Sequence, residues 1–168
     1  MGINYFAASL CALALGQAVS LSSFAQKTQP ANTAAVRVNG QVFAVVPAAS
    51  SAVLDRKTNE LLVTLNAANG ARVVVRLAEF RRRPERFVVT DPRSFSGVYY
   101  TAVTDGRAQY FDFRNCANPN RMIDVIGFDS VRHTVSGTFS GTACGSGSNR
   151  NRAIPVTSGT FNLHYSSR

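Results

Sequence analysis

Short runs in which apolar and polar side chains alternate dominate this chain, and turn-forming residues separate the runs. The clearest pair covers residues 61–67 and 71–77, where every second residue is apolar and Ala-Asn-Gly lies between the two runs. A period of two places successive side chains on opposite faces of a strand. These two runs therefore predict a hairpin with one buried face.

Other regions repeat the pattern. Residues 34–46 predict either two strands around a tight turn at Asn39-Gly40 or one bent strand. Residues 97–113 predict another hairpin, around Asp105-Gly106. A further strand is predicted over 121–129, and residues 78–97 are irregular apart from a short edge strand at 86–89. With no helical period of useful length, the sequence predicts an all-β fold, a single antiparallel β-sandwich or flattened β-barrel of about 9–11 strands.

The tetrapeptide Ser-Gly-Thr-Phe occurs twice near the C-terminus, at 136–139 and 158–161. In a strand, Gly137 and Phe139 share one face, and so do Gly159 and Phe161. We therefore expect the two copies to be paired strands of a closing hairpin, with both phenylalanines in one packing layer and both glycines leaving room beside them.

Residues 1–25 have the features of a signal peptide. An apolar stretch is followed by Ser23-Phe24-Ala25, which fits a signal peptidase site, although no Lys or Arg precedes the apolar stretch. The apolar stretch is shorter than the roughly 20 residues that span a bilayer. We expect cleavage after Ala25, a linker over 26–34, a β domain over 35–168 with no membrane span, and an exported monomer.

Two cysteines remain after that cleavage, Cys116 and Cys144. An even number in an exported chain predicts a disulfide, which stabilises by about 3–4 kcal/mol in the chain-entropy account. Free thiols or half a metal site are the alternatives. Since only His133 and His164 are available as histidine ligands and Cys-x-x-Cys is absent, we expect neither a metal nor another cofactor.

The chain carries 18 basic and 9 acidic residues, a formal net charge of +9. This balance attracts polyanions, or it is the solvated surface of an arginine-rich composition. Most arginines are dispersed, and the one cluster contains the candidate anion-binding residues Arg81, Arg82, Arg83 and Arg86.

No catalytic residue is assigned from the sequence. Ser136 and Ser158 lie in predicted strands without a nucleophile-elbow motif, and His133 with Asp129 lies in a predicted turn. Asp112 and Asp124 are the best carboxylate pair for a glycosidase, but salt bridges to nearby arginines explain them more simply. The glycine-rich segment 145–152 fits no phosphate-binding loop and predicts a hairpin loop.

Nucleic acid is a further candidate ligand, because arginines combined with exposed aromatic rings can bind single strands. The aromatic candidates are Tyr99, Tyr100 and Tyr110. Tyrosine also favours strands for structural reasons. Together with the expected export, this makes specific nucleic-acid binding the less favoured interpretation.

The doubled motif, together with Val156 before its second copy, resembles an uncharacterised family of exported bacterial β-proteins, many of them lipoproteins. The segments Val-Asn-Gly-Gln-Val-Phe-Ala-Val and Ser-Gly-Val-Tyr-Tyr are similar to the opening strand and a Gly-x-Tyr strand of that family, so the resemblance covers about residues 36–165. It implies an all-β domain at the cell envelope and transfers no catalytic residue. This chain lacks the family's lipobox, which leaves open whether it is anchored or released.

We expect a non-enzymatic module, exported to the periplasm, cell surface or medium, that binds an unidentified ligand or envelope partner. Two alternatives stay open. One is a small secreted hydrolase with an atypical site. The other is a binder of polyanionic glycan or lipopolysaccharide that uses the arginine cluster at 81–86.

Overall fold

The computed structural model describes residues 32–89, 95–117 and 120–168, which form eleven strands and three single-turn 3₁₀ segments. The strands are β1 (Thr33–Val38), β2 (Gln41–Val42), β3 (Ser51–Asp55), β4 (Glu60–Asn66), β5 (Arg72–Leu77), β6 (Glu85–Val89), β7 (Gly97–Thr104), β8 (Arg107–Asp112), β9 (Arg121–Asp129), β10 (Thr134–Gly145) and β11 (Ala153–Ser167). The predicted all-β class is confirmed. In the described part of the chain, no helix has the length and apolar character needed to cross a membrane.

All eleven strands belong to one sheet, in the order β2-β1-β11-β3-β4-β5-β7-β8-β10-β9-β6. An additional pairing joins β10 to β11, so the seven strands from β11 through β3 and β8 to β10 form a closed ring. Strands β10 and β11 are long enough for each to pair with two strands along its outer side. As a result, two pairs of strands lie outside the ring. Strands β9 and β6 continue the sheet beside β10, and strands β1 and β2 continue it beside β11.

The sheet is mixed, whereas the sequence predicts antiparallel pairing alone. Strands β3 and β11 run parallel over three residue pairs, from Ala52 opposite Tyr165 to Leu54 opposite Ser167. Alternation along a sequence reveals pairing between consecutive strands, because a short turn fixes their relative direction. It gives no information on two strands that lie more than 100 residues apart.

The predicted hairpins are present. Strand β4 pairs with β5, and β7 pairs with β8 around Asp105-Gly106. Both turn residues there have positive φ, 51° and 71°, as do Asn39 and Gly40 between β1 and β2, with 51° and 77°. A two-residue type I′ turn requires this backbone conformation, which is why Asn-Gly and Asp-Gly are favoured in it.

The core lies on the inner face of the sheet, where β4 and β5 contribute a continuous apolar layer. Leu61, Val63 and Leu65 are almost fully buried, and so are Val73 and Val75. Burying side chains of this size is worth about 1.5–3 kcal/mol each. The same alternation leaves the outer residues of these strands at the surface.

One charged residue is buried that the sequence analysis did not single out. Arg121, at the start of β9, is fully buried, and its Nη1 donates a hydrogen bond to the Ser96 carbonyl oxygen at 2.9 Å. Its guanidinium carbon lies 3.9 Å from the centre of the Phe113 ring, a cation–π contact. Arg121 therefore ties the start of β9 to the residues that flank β7 and β8.

The two Ser-Gly-Thr-Phe copies are neighbouring segments of β10 and β11, as predicted. Phe139 lies directly opposite Gly159, and Gly137 lies directly opposite Phe161. A Cβ added at Gly159 would lie 2.5 Å from Phe139 ring atoms, and one added at Gly137 would lie 2.7 Å from the Phe161 ring. Each ring therefore covers the glycine of the other strand. Both rings are buried, with centroids 6.3 Å apart.

The predicted Cys116–Cys144 disulfide is present, with Cα atoms 5.2 Å apart and 28 residues of sequence separation. Cys144 lies at the end of β10, opposite Asp112 of β8, where these two strands share only two residue pairs in the described sheet. The disulfide thus adds a covalent link where the pairing between neighbouring strands of the ring is shortest.

Strand β1 starts at Thr33, within the last residues of the predicted linker. The predicted edge strand is also present, as β6 lies at one end of the sheet order. The predicted signal peptide at 1–25 and most of the linker at 26–34 lie outside the described residues.

Candidate functional site

A concave pocket of about 430 Å³ lies on the outer face of β4, β5, β7 and β8. Most of its residues come from the outward-facing positions of the alternating pattern, and Tyr100 and Phe111 of the core also contribute to its lining. Its charged lining residues are Glu60, Arg72, Arg76, Asp112 and Arg114.

Strand register places these side chains in rows across the sheet. Val74 of β5 is opposite Tyr99 of β7, and Tyr99 is opposite Asp112 of β8. In the next row, Thr101 lies between Arg72 on one side and Tyr110 on the other. Adjacent strands are about 4.8 Å apart, so the backbones of Arg72 and Tyr110 are separated by about 10 Å.

An ion pair forms the first side of the pocket. Arg76 Nη2 donates to Glu60 Oε2 at 2.7 Å, with both side chains partly shielded from water at 31% and 22% exposure. The hydrogen bond to Glu60 raises the pKa of Arg76, and interaction with Tyr99 adds to this effect. The Arg76 guanidinium also lies 5.8 Å from the centre of the exposed Phe95 ring.

A second ion pair forms the opposite side. Arg114 donates through Nη2 and Nε to Asp112 Oδ2, at 2.6 and 2.9 Å, and through its backbone N–H to Oδ1 at 2.8 Å. The same guanidinium lies 5.8 Å from the centre of the Tyr99 ring. The bond to Asp112 raises the pKa of Arg114, and Tyr99 contributes further. Asp112 thus caps the single-turn segment Phe113–Asn115 and orients Arg114 over Tyr99.

The three tyrosines predicted as stacking platforms do not share one face. All three contribute to the lining of the pocket, and Tyr110 is 63% exposed. Tyr100 lies one residue later than Tyr99, and its ring packs against the core, stacked on Phe111 at 5.9 Å and edge-on to Phe43 at 6.4 Å. Burial raises the pKa of Tyr100.

The predicted anion-binding cluster of arginines is divided among separate contacts. Arg86 binds Asp124 at 2.6 Å, while Arg81 lies 3.8 Å from Glu85. Arg82 donates to the side-chain oxygen of Asn59 at 2.8 Å, beside a second cavity of about 460 Å³ that Arg81 also lines. Arg83 is exposed and makes no hydrogen bond or ion pair with the described residues.

The candidate catalytic carboxylates are far apart. On β10, Asp112 is opposite Cys144 and Asp124 is opposite Thr138, six residues away. At about 3.3 Å per residue this is roughly 20 Å, compared with the 5–10 Å between the two carboxyl groups of a glycosidase. Each carboxylate is in an ion pair with an arginine, as the simpler sequence interpretation predicts.

His133 lies in the turn between β9 and β10, as expected, and Asp129 is the last residue of β9, directly before this turn. Asp129 Oδ1 accepts hydrogen bonds from the backbone N–H groups of Arg132 and Val131, at 2.8 and 2.9 Å, and these lower the pKa of Asp129. The His133 ring lies 5.4 Å from the Tyr165 ring. Both residues therefore have structural contacts that account for their positions.

The two serines of the repeat differ in environment. Ser136 lies half-buried beside Gly127 on the next strand, whereas Ser158 is exposed and has φ of 52° at a register shift between β10 and β11. Within residues 32–89, 95–117 and 120–168 there is no group of three or more His, Cys, Asp or Glu side chains that could hold a metal ion.

From the sequence, Tyr99, Tyr100 and Tyr110 are candidate stacking residues, whereas Arg72, Arg76 and Arg114 are part of a dispersed surface charge. Alternation within β5 did place Arg72 and Arg76 on one outer face. What joins them to Asp112 and Arg114 is the order β5-β7-β8, which requires the tertiary pairing. Comparison with protein-family models, curated proteins and solved structures found no match.

Proposed function

We propose that this chain is an exported, non-enzymatic β domain that binds a ligand through the pocket on β4, β5, β7 and β8. One observation carries the proposal: charged and aromatic side chains from four strands converge on a single concave surface of about 430 Å³. Ligand sites typically combine such a concavity with a few placed polar groups on a rigid scaffold. Here the scaffold is the ring of the sheet, backed by the buried core.

The arrangement of the acidic groups favours binding over catalysis. Glu60 and Asp112, the carboxylates of the pocket, both accept hydrogen bonds from arginines, which orient them. In a two-carboxylate hydrolase the two acidic groups face each other across the scissile bond, whereas here each of them faces an arginine. The hydrolase alternative requires a different arrangement of these groups, and turnover assays distinguish it.

Export is supported by three features. Residues 1–25 fit a signal peptide, disulfides persist in oxidising compartments, and the closing hairpin resembles that of an exported family. Binding of polyanions through Arg81–Arg86 is less favoured. The reason is that Arg86, Arg81 and Arg82 contact three separate partners, Asp124, Glu85 and Asn59, rather than jointly lining one pocket with aromatic rings.

The test is amide chemical-shift mapping on the ¹⁵N-labelled protein, purified after expression of the full chain. The probes are free amino acids, mononucleotides and neutral and acidic trisaccharides. We expect at least one probe class to shift amides of β4, β5, β7 and β8, and Tyr110→Ala to weaken that binding. Val131→Ala is the control, since Val131 is 86% exposed in a turn outside the pocket lining.

Two results would overturn the proposal. One is that the shifts fall outside the pocket, for example around Arg81–Arg86, or that no probe produces any. The other is turnover of ester, glycoside or peptide substrates that Asp112→Asn or His133→Ala abolishes.

A further inference from the structure

Arg72 differs from the other two arginines of the pocket. Its Nε donates to the Thr101 hydroxyl oxygen at 3.4 Å, a long hydrogen bond to a neutral group. No carboxylate among the described residues forms an ion pair with it, whereas Arg76 and Arg114 each have one. The pocket thus has three arginines and two carboxylates, and Arg72 carries the charge that is left uncompensated.

A ring surface lies in the same row as this charge. Tyr110 is 63% exposed and is separated from Arg72 by Thr101 alone. The Arg72 guanidinium and the exposed Tyr110 ring therefore lie on either side of the Thr101 hydroxyl group, with their backbones about 10 Å apart. The negative face of an aromatic ring suits the polarised C–H groups of a saturated ring.

The two paired carboxylates add acceptors to these donors. Glu60 and Asp112 present oxygens beside the N–H groups of Arg76 and Arg114, so each ion pair offers an acceptor and donors side by side. Such a pair can bind neighbouring hydroxyl groups, which both donate and accept. A phosphate chain would meet repulsion from the same carboxylates, so a nucleic acid fits this pocket less well.

Resting on the proposed binding function, we propose that the pocket takes an acidic saccharide. Its carboxylate or sulfate lies at Arg72, one sugar face lies on Tyr110, and hydroxyl groups lie at the Arg76–Glu60 and Arg114–Asp112 pairs.

The test uses matched pairs of trisaccharides in calorimetric and chemical-shift titrations of the protein from the full chain. Each uronate, sialate or sulfated trisaccharide is paired with its methyl ester or desulfated form, and a thymidine hexanucleotide is included. We expect at least one acidic member to bind the pocket about tenfold or more tightly than its neutral partner, because a charge-assisted hydrogen bond is lost in the neutral form.

Substitutions at Arg72 and Tyr110 test the two proposed contacts, that of the acidic group and that of the sugar face, separately. Arg72→Gln should remove the acidic member's advantage and leave the neutral partner's affinity unchanged, while Tyr110→Ala should weaken both. Arg83→Gln is the matched control, because Arg83 is an exposed arginine that lies outside the pocket and has no ion pair with the described residues. It should leave both affinities unchanged. Melting temperatures of all three variants verify that the fold is retained.

The outcomes distinguish this inference from the function on which it rests. If neutral members bind the pocket as tightly as acidic ones, or Arg72→Gln spares the acidic advantage, the acidic-saccharide inference is wrong and the binding function stands. If the hexanucleotide binds the pocket more tightly than every saccharide, the ligand class is nucleic acid instead. If no probe of the wider panel shifts pocket amides, both proposals fail.

Discussion

The reciprocal Phe–Gly contacts of the closing hairpin lead to a quantitative prediction about Phe139 and Gly159. Phe139 is 2% exposed, so Phe139→Ala should destabilise the protein by about 3–5 kcal/mol. In Gly159→Ala the new methyl carbon would lie 2.5 Å from ring carbons, about 1 Å closer than the 3.5–4.0 Å of favourable carbon contacts. Overpacking of this kind costs about 1–3 kcal/mol.

The double variant Phe139→Ala/Gly159→Ala should be less destabilised than the sum of the single variants. With the ring removed, the methyl group introduced at position 159 occupies part of the vacated volume and meets no clash. We therefore expect the double variant to lose about as much as Phe139→Ala alone, so that the coupling free energy matches the overpacking cost of about 1–3 kcal/mol.

The measurement is equilibrium unfolding in urea with the disulfide intact, followed by far-ultraviolet circular dichroism because the chain contains no tryptophan. Gly127→Ala serves as the control in combination with Phe139→Ala. A Cβ at residue 127 would meet the Ser136 hydroxyl group rather than Phe139, so these two changes should add within about 0.5 kcal/mol. Additivity in the Phe139–Gly159 pair, or a Gly159→Ala cost below about 0.5 kcal/mol, would refute the reasoning.

Three further predictions concern the disulfide, the turn after β9 and the leader. Replacing Cys116 and Cys144 by serine should lower the free energy of unfolding by about 3–4 kcal/mol in urea titrations, and a loss under about 1 kcal/mol would contradict this. The lowered pKa of Asp129 stabilises the folded state above the ordinary aspartate value of about 3.9, and that contribution disappears as pH falls through the folded value. Asp129→Asn should therefore reduce the difference in melting temperature between pH 7 and pH 3, and an unchanged difference would exclude the effect. Expression of the full chain in a secreting host should yield an intact mass that begins at Gln26, and a mass that retains residues 1–25 would exclude the predicted cleavage.

Local features of the fold could be predicted from the sequence because they depend on neighbouring strands. Alternation predicts the β4–β5 and β7–β8 hairpins. The Asn39-Gly40 and Asp105-Gly106 pairs predict the β1–β2 and β7–β8 turns, since few other residues adopt positive φ readily. The doubled tetrapeptide also predicts the closing hairpin. That each phenylalanine lies opposite the glycine of the other copy follows only from the register of the two strands. These signals lie within short stretches of chain.

The candidate site could be predicted only in part. The sequence indicates Tyr99, Tyr100 and Tyr110 alike as aromatic residues in strands. The alternation rule separates Tyr99 from Tyr100, and their ring contacts differ accordingly: the Tyr100 ring packs on Phe111 against the core, whereas Tyr99 lies beside the Arg114 guanidinium. The contribution of Arg72 depends on β5 lying beside β7, and the burial of Arg121 depends on Ser96 and Phe113, so neither follows from local pattern.

The position of β11 has a consequence for how the chain folds. This last strand pairs with β1 along one part of its length and with β3 along another, so both contacts join segments more than 100 residues apart. Pairing over such separations is slow, because the entropy of closing a long loop must be lost before the contacts form. Until residues 153–167 have been synthesised and can pair, the seven-stranded ring cannot close and Phe161 cannot take its place in the core. A chain that emerges from its N-terminus, from a ribosome or through a membrane pore, therefore acquires this fold only after almost its entire length has been released.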